Sequence, residues 1–168
     1  IADLEPIFRR QCEAFIAALR AAGATVDIHS TRRPRERAYL MNGAWRIARE
    51  DASPGSIAPL PGVDIEWVHR KPNDAVDLVA SRRAASAMAS RYGLAFKPAL
   101  TSNHILGKAI DMTIRWSGSL TLKNGRGKTI TISNAPRTGM NTDLWQVGGT
   151  YGVKKLPSDR PHWSANGR

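Results

Sequence analysis

The chain contains a single cysteine, Cys12, among 168 residues. One thiol forms no internal disulfide and excludes a multi-cysteine metal site. At an apolar position of an amphipathic stretch it reads as a small buried hydrophobe. No run of apolar residues approaches the ~18 needed to cross a bilayer, so no membrane span is expected. Acids are also scarce: 14 Asp and Glu stand against 25 Lys and Arg, a formal charge of +11. Such a balance suits a polyanionic partner, either nucleic-acid phosphates or an anionic cell envelope. The basic residues are scattered, with dense spots only at Arg32-Arg33-Pro34-Arg35 and Arg82-Arg83. No zinc-finger or RNA-recognition motif accompanies them. Anionic cell-envelope polymers are therefore the expected partner, and nucleic acid is not.

A chain of this length is long enough to bury a core and is expected to form one domain, residues 1–168, and a monomer. It begins at Ile1 rather than Met, so further sequence upstream is expected. No internal repeat or low-complexity segment is visible. Residues 3–22 read as an amphipathic helix with Leu4, Ile7, Phe8, Cys12, Phe15, Ile16 and Leu19 on one face, ended by Gly23. That helix carries acids as well as bases and is not a signal peptide. Thr25–His29 alternates as a short strand, and His29 reads as a strand-face or surface histidine. A helix is expected from about Pro34 to Ala48, then a Pro- and Gly-containing loop over 51–63. Val63–His69 reads as an edge segment or cleft wall. Residues 73–92 read as a helix capped by Asn73, with Val76, Val79, Ala80, Ala84, Ala87 and Met88 on its packing face. Ser117–Ser133 reads as a hairpin turning at Asn124-Gly125. Asn141–Tyr151 reads as a short helix interrupted or ended at Gly148-Gly149, and Val153–Leu156 as a last strand.

The stretch with the most chemistry is Thr101–Ile114, a polar loop running into a strand. Alternation places Ile110, Met112 and Ile114 on a core face and Ala109, Asp111 and Thr113 on the other. Asp111 thus stands beside two small neighbours. His104 lies on the preceding loop, and Gly107 allows that loop to bend sharply. An imidazole and a carboxylate so placed supply two of the three protein ligands of a catalytic zinc site, whose fourth position is left for water. The third should be another of the four histidines: His29, His69, His104 or His162. His162 lies in Ser158-Asp159-Arg160-Pro161-His162-Trp163-Ser164, with a carboxylate three residues before it. One imidazole for the metal and one carboxylate to take a proton from water meet the minimum for metal-assisted hydrolysis.

Ser102-x-His104-x-x-Gly107-x-Ala109-x-Asp111, followed by Asp159-x-x-His162-Trp163, resembles the zinc peptidases of peptidoglycan. These are the D-alanyl-D-alanine carboxypeptidases and the phage L-alanyl-D-glutamate endopeptidases, which share the Hedgehog/D,D-peptidase fold. The resemblance covers roughly residues 25–165. Many carboxypeptidases of the family carry Glu at the position of Asp159, and the Asp form is similar to the phage endopeptidases.

The resemblance implies an α+β fold with a small antiparallel sheet carrying the site and helices on the sheet's other face. It implies Zn2+ as cofactor, held by His104, Asp111 and His162, with Asp159 as proton acceptor and donor. In the family a Ser-x-x-Arg segment supplies a substrate-facing arginine. Arg33 matches it, with Arg32 as the alternative, and a permanent cation there suits a developing oxyanion. Ser102 is expected to orient a ligand, and Trp163 either walls the pocket or belongs to the core. The implied activity is a peptidoglycan metallopeptidase of endolysin type, cutting stem peptides between L-alanine and D-glutamate. It would be made in the cytoplasm and act at the bacterial cell wall. The alternatives are a D-alanyl-D-alanine carboxypeptidase and a non-catalytic, zinc-stabilised wall-binding module. A metal-dependent nuclease is disfavoured because such sites are usually oxygen-rich.

Overall fold

A computed structural model describes residues 1–168. In chain order the elements are α1 (Pro6–Ala21), β1 (Thr25–Ser30), α2 (Arg35–Arg49), a 3-10 turn (Pro54–Ser56), α3 (Leu78–Arg91), β2 (Ala109–Arg115), β3 (Leu120–Lys123), β4 (Thr129–Ile132), α4 (Thr142–Thr150), β5 (Lys154–Lys155) and β6 (His162–Ser164). The class is α+β with a small antiparallel sheet, as expected. The chain is built as two compact units: Ile1–Arg33 with Asn103–Arg168, and Pro34–Ser102. No helix is long and apolar enough to cross a membrane.

The first unit holds a four-stranded sheet ordered β1-β2-β6-β5, every neighbouring pair antiparallel. β2 alternates as its sequence requires: Ile110, Met112 and Ile114 are buried, while Asp111 and Thr113 turn the other way and stay partly exposed. Onto the buried face α1 delivers Phe8, Cys12, Phe15, Ile16 and Leu19, joined by Leu144 and Val147 of α4 and Trp163 of β6. The α1 helix starts at Pro6 rather than residue 3, and the Glu5 carboxylate accepts from the Phe8 backbone N–H at 3.0 Å. Ile7, expected on the apolar face, is 58 % exposed. It lies about 100° around the helix from Phe8, off the stripe set by the larger side chains. Cys12 is buried, and burial pushes its thiol up to about 12, so it stays protonated and serves as a hydrophobe.

Three further expectations are revised in this unit. The hairpin β3–β4 turns through a wider loop than Asn124-Gly125: the Asn124 N–H donates to the Lys128 carbonyl, and Asn124 Oδ1 accepts from the Arg126 and Lys128 N–H groups. An Asn side chain bonded to backbone ahead of it organises such turns. Helix α4 runs through Gly148 and Gly149 to Thr150. A Cβ on Gly148 would stand 2.7 Å from the Val153 carbonyl and 2.9 Å from the Trp163 ring, so the glycine permits close approach and does not end the helix. The last strand is shorter than expected, and His162 lies on a strand of its own, β6, next to β2.

The second unit packs α2 and α3 around Tyr39, Ala44, Ile47, Ile57, Trp67, Ala85 and Ala89. The Trp67 indole N–H donates to the Tyr39 hydroxyl at 3.0 Å. A Cβ on Gly43 would stand 2.6 Å from the Trp67 ring, so α2 needs a glycine there. Within Val63–His69, Trp67 points inward while Glu66 and His69 are exposed. Helix α3 begins later than expected and is capped by Asp77, not Asn73. Its buried stripe is Ser81, Ala85 and Ala89, and Val79 is 77 % exposed. In a helix so rich in alanine the apolar contrast between faces is weak; Val76 precedes the helix and Val79 lies on its exposed face.

Candidate metal centre

Asp111 and His162 sit directly opposite each other on the paired strands β2 and β6. Directly opposed side chains on antiparallel strands share a face. His104 reaches the same point from the loop before β2. That loop is folded tightly: the Gly107 N–H donates to the His104 carbonyl, and the Lys108 N–H to the Asn103 carbonyl. Gly107 holds φ +67, and a Cβ there would stand 2.9 Å from the Glu5 N–H nitrogen. Both facts require glycine at this position.

The three inward atoms form a near-equilateral triangle. His104 Nε2 is 3.2 Å from Asp111 Oδ1, His162 Nδ1 is 3.2 Å from the same oxygen, and the two nitrogens are 3.2 Å apart. Ligands of a tetrahedral zinc ion at its usual bond lengths stand about 3.3 Å from one another. The donor set therefore fits such a metal, and the group could hold a metal ion.

The outward nitrogens support this. His104 Nδ1 is 2.5 Å from the Thr31 carbonyl, and His162 Nε2 is 3.1 Å from the Arg168 carbonyl. A carbonyl only accepts, so each outward nitrogen carries a proton, and the inward nitrogen presents a lone pair whenever the ring is neutral and donates to Asp111 when it is charged. The two rings thus use opposite nitrogens, one Nε2 and one Nδ1. In the metal-free chain, burial disfavours the His104 imidazolium. Its bonds to Asp111 and to the Thr31 carbonyl outweigh this and raise its pKa, although the Arg33 charge opposes them. Burial also disfavours charge on Asp111, but the hydrogen bonds and charges of His104 and His162 hold it well below the ordinary carboxylate range.

The other residues singled out by sequence are not among the three clustered ligands. Asp159 is exposed in the turn between β5 and β6 and is not among the clustered ligand atoms. The Arg33 N–H donates to the His104 carbonyl at 3.0 Å, and its charge is felt at the His104 ring. Arg32 is exposed, with its N–H on the Asp3 carboxylate. His29 and His69 lie outside the cluster. Ser102, expected to orient a ligand, makes no hydrogen bond through its Oγ. Trp163 is fully buried and belongs to the core.

Lys155 was not singled out. It is 7 % exposed and donates to the carbonyls of Leu156, Asp159 and His162. Its ammonium also lies 5.7 Å from the Trp163 ring centroid. One cation thereby ties both ends of the turn that carries Asp159 and His162. Burial pushes its pKa down to about 8, against the pull of Asp159 and Asp111. The carbonyls of Thr31 and Arg168 also escape sequence reading, since a backbone group leaves no mark in residue type. Lys155 has a faint signal, a lysine at an inward position of a short strand. The chain matches no protein-family model, and no curated protein is significantly similar to it.

Proposed function

We propose that this protein is a zinc-dependent peptidase of peptidoglycan stem peptides, with the Hedgehog/D,D-peptidase fold. The observation that carries this reading is the triangle of His104, Asp111 and His162, with the outward nitrogen of each imidazole on a backbone carbonyl. Two neutral imidazoles and one carboxylate suit zinc better than the hard cations of oxygen-rich sites. When bound, zinc supplies Lewis acidity and lowers the pKa of water towards ~7.

The remaining work falls to the chain's own side chains. Asp159, free of any ion pair, accepts the proton of the attacking water and returns it to the leaving amine. A carboxylate left outside the ligand set favours an enzyme over a wall-binding module, which has no use for a base. Arg33, anchored through its N–H beside His104, stabilises the oxyanion that forms on the scissile carbonyl. The Lys155 bonds hold the Asp159–His162 turn so that base and ligand keep one geometry. The charge of +11 concentrates the protein on an anionic wall polymer. We favour cleavage between L-alanine and D-glutamate because Asp159 stands where many of the carboxypeptidases carry Glu. A protein of this kind would be made in the cytoplasm and act at the bacterial cell wall.

Digestion of purified peptidoglycan, with mass spectrometry of the products, tests the reading. New D-glutamate amino termini, abolished by chelation and restored by zinc, are expected. Free D-alanine without such termini would transfer the assignment to a D-alanyl-D-alanine carboxypeptidase. Zinc retained with no product at all would leave the wall-binding module.

A further inference from the structure

A groove of about 400 Å³ opens along β2 beyond Asp111, lined by both faces of the strand from Met112 to Arg115. Its polar lining comes from His29, Thr113, Arg115, Thr138 and Arg160, and no acidic residue lines it. It adjoins the metal ligands through the chain: Thr113 lies two residues along β2 from Asp111, and Pro161 immediately precedes His162. Two residues of strand span about 6.7 Å, so the groove begins one to two peptide residues away from the metal centre.

His29 enters this groove through an irregularity. The β1–β2 register shifts between Ile28 and Ser30, which leaves His29 unpaired on the strand. Its Nε2 lies 2.7 Å from Thr113 Oγ1. Bulges beside active sites commonly re-aim one side chain in this way. Of the two guanidinium groups, Arg115 stands 3.7 Å from the Asp27 carboxylate, with both side chains more than half exposed. Arg160 makes no ion pair and no side-chain hydrogen bond, though Asp159 is its chain neighbour. A planar guanidinium with no partner, at the rim of an acid-free groove, matches a carboxylate through paired N–H donors.

We propose that this groove is a subsite for a substrate carboxylate on the residue that follows the scissile bond, with Arg160 as its principal anchor and Arg115, His29 and Thr113 completing it. This rests on the peptidase reading above. In a stem peptide cut after L-alanine, the carboxylate so placed is the free α-carboxylate of D-glutamate. The groove therefore discriminates a free carboxylate from its carboxamide.

The experiment uses the zinc-loaded full chain and two synthetic stem peptides that differ only in D-glutamate α-carboxylate against α-carboxamide. Hydrolysis is followed for both, and NMR signals of the His29 ring and the Thr113 methyl are followed as each peptide is added. The carboxylate peptide is expected to be favoured about 10-fold in kcat/KM, the order of one charged hydrogen bond at a partly solvated site. It should also move both groove signals more than the carboxamide does. Arg160→Gln should bring the ratio of the two peptides close to one, and Arg160→Lys should keep part of it. A purely structural role for Arg160 would lower both rates and leave the ratio intact. Equal hydrolysis by the parent protein, or a ratio that survives Arg160→Gln, would overturn the subsite while the peptidase reading stands. Groove signals that move selectively without hydrolysis of either peptide would support the carboxylate site and sink the peptidase reading. Neither hydrolysis nor movement would overturn both.

Discussion

The sheet-bearing unit fills its interior with Phe8, Phe15, Leu19, Ile110, Met112 and Trp163, whereas the helical unit closes around Ala44, Ala85 and Ala89, two isoleucines, Ile47 and Ile57, and one Tyr39–Trp67 pair. The difference bears on where chemistry can reside. In the sheet unit, Asp111 is bracketed by Ile110 and Met112, and His162 is followed by Trp163, all fully buried. Each residue of the cluster that lies on a strand thus has an immediate neighbour fully buried in the core. Metal ligation needs such support, because a site loose by an ångström loses its geometry. The helical unit has its own histidine, His69, with the acid Glu66 three residues before it, but both are exposed and neither belongs to a ligand cluster. It also leaves Val79 77 % and Phe96 84 % exposed.

The sharpest break in this comparison comes from paired substitutions. Asp159→Ala should lower turnover ~10²–10⁴-fold, the usual worth of a positioned base, while zinc content stays at one per chain. His69→Ala, in the helical unit, should change neither turnover nor zinc. Loss of zinc in Asp159→Ala would make it a ligand and redraw the roles. Arg33→Ala should cost about 10²–10³-fold in turnover with zinc retained. A larger loss from Arg32→Ala would shift the family motif by one residue.

The two cores should answer differently to changes of volume. Phe15→Ala removes a fully buried ring packed at a tilt against Tyr151 and Trp163 and should cost ~3–5 kcal/mol in denaturant melts. Ala85→Leu in the small-residue core should cost ~1–3 kcal/mol by overpacking. Val79→Ala should stay within about 0.5 kcal/mol, as expected of an exposed position. Lys155→Met should cost ~1–3 kcal/mol, because three carbonyls lose their donor.

The smallest effect is one of pH on the metal-free chain. The lowered pKa of Asp111 gives stability that is present above 3.8 and lost as pH falls through its folded value. The raised pKa of His104 gives stability that is present below 6.5 and lost as pH rises through its folded value. The metal-free protein should therefore have a higher Tm at about pH 5.5 than at pH 8.5. The zinc-loaded protein should gain Tm relative to the metal-free form as pH rises over that range, since imidazoles must be neutral to ligate. A metal-free Tm that rises from pH 5.5 to 8.5 would contradict the assigned ion pair.

Sequence showed the strand and loop of the centre plainly. Alternation about Ile110, Met112 and Ile114 fixed the face of Asp111, and Gly107 marked the bend that brings His104 round. The strand of His162 was hidden, because three residues are too few to show a period, and pairing with β2 decides their conformation. The face of α3 was misread because alanines give little contrast. What holds the outward nitrogens of the two candidate ligand imidazoles was invisible, since Thr31 and Arg168 act through backbone carbonyls.

Zinc analysis of the purified protein beside Asp111→Ala and Asp159→Ala tests the central claim most directly. One zinc per chain in the parent and in Asp159→Ala, with almost none in Asp111→Ala, is the predicted result. A parent protein that takes up no zinc, or an Asp111→Ala protein that keeps its full complement, would contradict the assignment of His104, Asp111 and His162 as the metal centre.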